Sequence, residues 1–218
     1  MAIVDYAGLV EAAQKWCVRS DSTFTNQIPN MLAFAEDRIY NGSDLEAKGQ
    51  LYSPALRTKS LEFAGTVAFT EGLASLPLDC LQVRKLSRSS DYLGLDYLPP
   101  ERFAVVSAQS TGGDPGYYTI EAGVIKVTPS FTGSMDMLYY RKFPALSTDA
   151  NSNGLLLAHA PVYLSALLFE AFSFIQNIDL AIGHVSRLRS AIDGLNRTQT
   201  ATLIGGGNVR VRARNPIP

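Results

Sequence analysis

Cysteine, histidine and tryptophan are scarce in these 218 residues: two, two and one. Cys17 and Cys80 stand far apart with no partner histidines, which excludes a disulfide framework and a zinc site. They read as two small buried thiols, compatible with a reducing cytoplasm but not requiring one. His159 and His184 lie about seven turns apart on adjacent helices, outside any metal-ligand spacing. An excess of one charge is also missing. Nineteen Lys and Arg against twenty Asp and Glu leave a net charge of −1. The chain as a whole therefore exerts no long-range pull on nucleic acid or a membrane surface. No basic start followed by an apolar run opens the chain, and Asp5 and Glu11 sit in its first turns, so no signal peptide is expected.

The signatures of chemistry are missing as well. No serine sits in Gly-x-Ser-x-Gly, and there is neither a phosphate loop nor a dinucleotide fingerprint. Gly205–Gly207 follows no strand and opens no helix, so it fails the context test for such a loop. The acid pairs Glu36–Asp37 and Asp91/Asp96 read as a solvated face and a loop, because paired carboxylates need a cleft to act. The expectation is a chain that is not an enzyme and holds no cofactor and no metal.

What is present is apolar patterning: 46% of the residues are hydrophobic and 18% charged, enough for a real core. Gly154 to Arg197 organises the rest. Leu164, Leu167, Leu168, Ala171, Phe172 and Ile175 recur at the spacing of one helical face. Ile178, Ala181, Ile182, Val185, Leu188, Ile192 and Leu195 repeat every three or four residues. Two such stripes joined at Asn177–Asp179 predict a helical hairpin, with Asp179 able to cap the second helix. Leu155 to Ile175 is about long enough to span a bilayer. His159, Pro161 and Glu170 lie inside it, and no basic cluster flanks it, so it reads as a core helix.

In the N-terminal third, Tyr6 to Val18 is predicted helical, with Leu9, Ala12, Ala13, Trp16 and Cys17 on one face. Pro29 opens a second helix running to about Tyr40, on the stripe Ile28, Leu32, Ala35 and Ile39, and Asn41–Gly42 stops it. Asp44 to Gln50 reads as another short helix and Leu51 to Lys59 as a connector. From Leu61 the period changes to that of strands. Leu61, Phe63, Val67 and Phe69 alternate, with Gly65 as a bulge candidate. Leu81 to Leu86 alternates next, with Arg84, Lys85 and Arg88 on or near its open side, and Ser87 to Gly94 reads as a loop. Glu101 to Gln109 reads as a short helix with Phe103 and Val106 inward. Tyr118–Glu121, Ala122–Gly123 and Val124–Val127 make the clearest hairpin, with Glu121 facing Val124 and Ile120 facing Ile125. Met135 to Tyr140 is a further strand, and Pro144 to Gly154 a polar linker.

The fold class is therefore α+β: a helical bundle built from both ends of the chain, with a β-rich subdomain inserted in it and an extended C-terminal arm. The boundaries are 1–60 for the N-terminal helices, 61–147 for the insert, 148–197 for the helical hairpin and 198–218 for the arm. In the arm, Gly205–Gly207 is a hinge. Val209, Val211 and Ala213 then alternate with Arg210, Arg212 and Arg214, giving an extended strand with one apolar and one cationic face. Adding such a strand to another chain is the simplest way to hold it. The clusters Arg84/Lys85/Arg88 and Arg210/Arg212/Arg214 suit phosphate contact. With no interleaved aromatic platform, sequence-specific reading of nucleic acid is not expected.

Several motifs together resemble phage head-to-tail adaptor proteins. They are Trp16 with Arg19–Ser20–Asp21, Ile28–Pro29, Phe34–Ala35–Glu36–Asp37–Arg38–Ile39, and Leu76–Pro77–Leu78–Asp79. Asp114 to Glu121 with Val124 to Pro129, Leu138 to Ser147, and Pro161–Val162–Tyr163–Leu164 onward complete the set. The likeness covers nearly all of residues 6 to 197. The resemblance implies a ring, typically of twelve copies, under the portal at the capsid vertex. Such a ring extends the DNA channel and carries tail, tail-tube or nozzle proteins, in the virion neck, after synthesis in the host cytoplasm. It implies self-association, proximity to channel DNA without specificity, and no membrane partner. The C-terminal arm, with Val209 to Arg214, is then the portal contact, and Arg84, Lys85 and Arg88 are tail-side or DNA-facing candidates. The rival readings are another neck component, such as a stopper or tail-completion protein, and a tail-associated cell-wall hydrolase.

Overall fold

A computed structural model describes residues 3–43, 51–88, 94–110 and 112–204, with side chains as far as residue 198. Along the chain the elements run α1 (Tyr6–Cys17), α2 (Ser22–Thr25), α3 (Ile28–Asn41), β1 (Glu62–Phe69), β2 (Leu73–Ser75), β3 (Cys80–Arg88) and β4 (Asp96–Tyr97). They continue with α4 (Pro100–Gln109), β5 (Tyr117–Glu121), β6 (Val124–Thr128), β7 (Gly133–Arg141), α5 (Gly154–Phe174) and α6 (Ile178–Ile204). The fold is α+β. The chain divides into two units: Met1–Lys59 with Pro144–Pro218, and Ser60–Phe143.

In the helical unit α5 is the centre, and α1, α3 and α6 pack against it. Capping sets the helix starts. Asp5 accepts from Gly8 N at 2.7 Å, Asp21 from Phe24 N at 3.0 Å, and Asn153 from Leu156 N at 2.9 Å. Gly42 closes α3 at φ +74°, and a side chain there would meet Ala55 N at 2.8 Å, so only glycine lets the chain fold back so tightly. The stripe Leu32, Ala35 and Ile39 is buried, as are Leu155, Leu156, Val162, Tyr163, Leu167 and Leu168 of α5. Helix α5 is long and apolar enough to cross a membrane, yet 56% of its most apolar window is buried inside the protein. It kinks at His159 (φ −141°, ψ 50°), where Pro161 cannot donate to the preceding turn.

The β unit holds two sheets. One has the order β1-β7-β3, antiparallel throughout. The other has the order β2-β6-β5-β4, with β4 parallel to β5. Met135, Met137 and Tyr139 of the central strand β7 join Leu86, Ile125, Val127 and Tyr118 in one core. The β5–β6 hairpin has the expected register, Glu121 opposite Val124 and Ile120 opposite Ile125. Both turn residues have positive φ, Ala122 at 48° and Gly123 at 77°, the geometry of a type I′ turn.

Several local expectations are corrected. Gly65 makes no bulge, since β1 pairs with β7 without a register break. It instead leaves room for the Phe63 ring, whose Cε1 would lie 3.0 Å from an added Cβ. The irregularities fall in β3, between Cys80 and Gln82 and between Val83 and Lys85. Ser87 and Arg88 belong to β3, and β2, too short to show a period, was not anticipated. Asn177, not Asp179, caps α6, accepting from Leu180 N at 3.3 Å. Ile178 is 56% exposed because the packed seam of α6 starts at Ala181. Helix α6 does not end at Arg197 but runs to Ile204, since each added residue of a formed helix gains a hydrogen bond without a new nucleus. The short helix expected at Asp44 to Gln50 lies outside the described residues.

Candidate functional site

The three cations singled out in β3 do not act as one patch. The irregularity between Val83 and Lys85 lets consecutive residues share a side of the strand. Arg84 pairs with Glu62 and lies 5.5 Å over the Tyr140 ring, while Lys85 is exposed opposite Leu138 on that same outer face. Arg88 sits opposite Met135, on the core side, and pairs with Asp114. Strict alternation would have grouped Arg84 with Arg88, and the bulge groups Arg84 with Lys85. Lys85, Thr66, Asp136 and Leu138 line an open groove of about 440 Å³ on this face. Val209, Arg210, Val211, Arg212, Ala213 and Arg214 lie outside the described residues.

The most built polar site is in the helical unit, and the sequence did not announce it. Glu36 is 2% exposed, not part of a solvated face. Its Oε1 accepts from Leu146 N at 3.0 Å and from the Tyr163 hydroxyl at 3.2 Å. Asn153 Nδ2 donates to Tyr163 Oη at 2.9 Å, and Asn153 Oδ1 caps α5. Burial, then the neighbouring Tyr40 and Glu36, push the Tyr163 hydroxyl far above the ordinary tyrosine range. A second set holds the other connecting segment. Asn196 of α6 donates to Ala55 O at 2.9 Å and accepts from Arg57 N at 2.8 Å, and Arg57 Nη1 donates to Tyr40 O at 2.7 Å. Both sets of bonds end on backbone groups of the connecting segments, so this network holds backbone in place.

Nearby, Arg38 Nε pairs with Glu170 at 3.1 Å and stacks 4.1 Å over Phe169. Burial raises the Glu170 carboxyl against the opposing pull of Arg38. His184 is buried, stacked on Phe172 at 5.2 Å and edge-on to Trp16 at 5.6 Å. Its imidazole is held below the usual range by burial and by Arg187. Trp16 itself is 50% exposed, not tucked into the α1 seam. It borders a groove of about 410 Å³, lined also by Pro161, Leu164, Leu168 and Arg187. Cys17 and Cys80 are free, and burial pushes each thiol up to about 11. Among the described residues no group of three or more His, Cys, Asp or Glu could hold a metal ion.

Among the described residues the geometry offers open surfaces and anchored segments. Over residues 4–212 the sequence matches the family model described as SU10 adaptor protein. No curated protein matches the chain.

Proposed function

This chain belongs to the SU10 adaptor protein family, and from that premise we propose that it forms a ring of twelve copies beneath the portal. The family is one of phage head-to-tail adaptors, structural components of the virion neck and not enzymes. In this reading the ring docks through residues 205–218, lengthens the DNA channel and carries the tail or nozzle proteins. The observation that carries it is the reach of the family match. It runs to residue 212, through Gly205–Gly207 and into the Val209, Arg210, Val211, Arg212 alternation.

Arg210, Arg212 and Arg214 then meet carboxylates or backbone carbonyls of the portal, and the small apolar residues pack on a strand edge there. One exposed pair contributes at most about 1 kcal/mol, but many arms on one ring act together. The β unit faces the tail, and substitutions between Ser87 and Gly94 impair tail attachment while leaving portal docking intact. Deleting Asn208–Pro218 tests the arm. The truncated protein is expected to form no rings on isolated portals, and full binding by it contradicts the reading.

A further inference from the structure

We propose that neighbouring copies meet head to tail through the helical unit, with Phe34 of one copy seated in the groove beside Trp16 of the next. The inference rests on the ring reading above and supplies a contact for it.

Helix α5 fixes the geometry. At 3.6 residues per turn, Pro161, Leu164, Ser165 and Leu168 fall within one arc of the helix, and all four line the Trp16 groove. Tyr163 and Glu170 project from the opposite arc, where they bond to Glu36 and Arg38 of α3. The groove and α3 therefore flank α5 on opposite sides. Within α3, Leu32, Ala35 and Ile39 are buried, while Phe34 is 64% exposed. Asp37, one turn further along that outer face, is exposed and accepts from Asn41 Nδ2 at 2.7 Å.

One side of the unit thus offers a large aromatic knob with a carboxylate beside it. The other offers an apolar groove with a cation at its lip, the Arg187 guanidinium 5.8 Å from the Trp16 ring. An aromatic knob with the exposed carboxylate of Asp37 beside it suits an apolar groove with a cation at its lip, and Arg38 on the knob side is already paired with Glu170. A two-fold contact would set groove against groove and Arg187 against Arg187. A head-to-tail contact satisfies every knob and every groove once the rotation closes a ring. An exposed Trp with a neighbouring Arg is also the composition that dominates binding energy at interface centres.

Disulfide trapping tests this contact. Ala33→Cys and Ser165→Cys, placed together in one chain, are expected to give an oxidised ladder of oligomers, while either substitution alone gives none. Adding Phe34→Glu to the double variant is expected to reduce the ladder by at least about tenfold, with unchanged circular dichroism because Phe34 is exposed. No ladder from the double variant, or a ladder that survives Phe34→Glu, overturns the contact. Arm-dependent binding to portals with no ladder discards this surface and keeps the ring, while a ladder with no portal binding keeps the surface and discards the docking.

Discussion

The helical unit places the Glu36 carboxylate at 2% exposure, whereas in the β unit the Lys126–Glu121 pair stays at the water boundary. Glu36 lies among Leu146, Tyr163 and the chain that returns toward α5. Lys126–Glu121, at 2.5 Å, has both side chains about a third exposed. The difference lies in what each interaction holds. A buried acceptor with two donors specifies where a backbone segment runs, because the backbone amide left without it would be buried and unpaired. A surface pair between strands adds little to a register already set by the ladder and the core. In the helical unit, both segments that adjoin the β unit in sequence are held by side-chain bonds to backbone, one by buried Glu36 and one by half-buried Asn196.

Removing Glu36 should have the largest effect. Glu36→Ala leaves the buried Leu146 amide without its acceptor and takes from the Tyr163 hydroxyl the carboxylate it donates to, though Asn153 and Tyr40 remain beside that hydroxyl, and should destabilise the helical unit by about 2–5 kcal/mol in urea unfolding followed by circular dichroism. A loss below about 1 kcal/mol would erase the contrast between the units. Tyr163→Phe removes one donor and one acceptor of the same network and should cost about 1–3 kcal/mol by the same measurement. In the β unit, Arg84→Ala should cost about 1 kcal/mol or less, because its pair with Glu62 is partly solvated. The smallest effect should have the opposite sign. Ala122→Asn gives the turn the Asn-Gly pair its positive φ values favour, and should raise the thermal midpoint, a gain of about 0.5–1 kcal/mol.

Much of this architecture was legible in the sequence. The Leu9/Ala13/Cys17 face, the α3 stripe and the Ala122–Gly123 hairpin each carry a period and a punctuating residue. Glu36 was misread because a Glu-Asp pair looks solvated. Its position between Ala35 and Ile39, one turn after Leu32, puts it on the edge of the apolar stripe, and that placement was the available signal. The grouping of Arg84 with Lys85 depends on a bulge, which changes register without changing composition. Residues 198–204 carry no helical apolar period, so the sequence alone does not extend the helix through them. Their helix continues α6 by backbone bonding, and the Thr198 hydroxyl Oγ1 separately donates to Gly194 O at 3.0 Å. The bulk of the β core was visible as alternation, but its division into two sheets depends on pairings across the chain that local periods do not encode.

Electron microscopy of the full-length protein mixed with isolated portal rings tests the functional account most directly. The account predicts a closed ring seated on one end of the portal, its helical units in contact with each other and density from each C-terminal segment reaching onto the portal. Single copies scattered on the portal, or a ring joined to it with no contribution from residues 205–218, would contradict it.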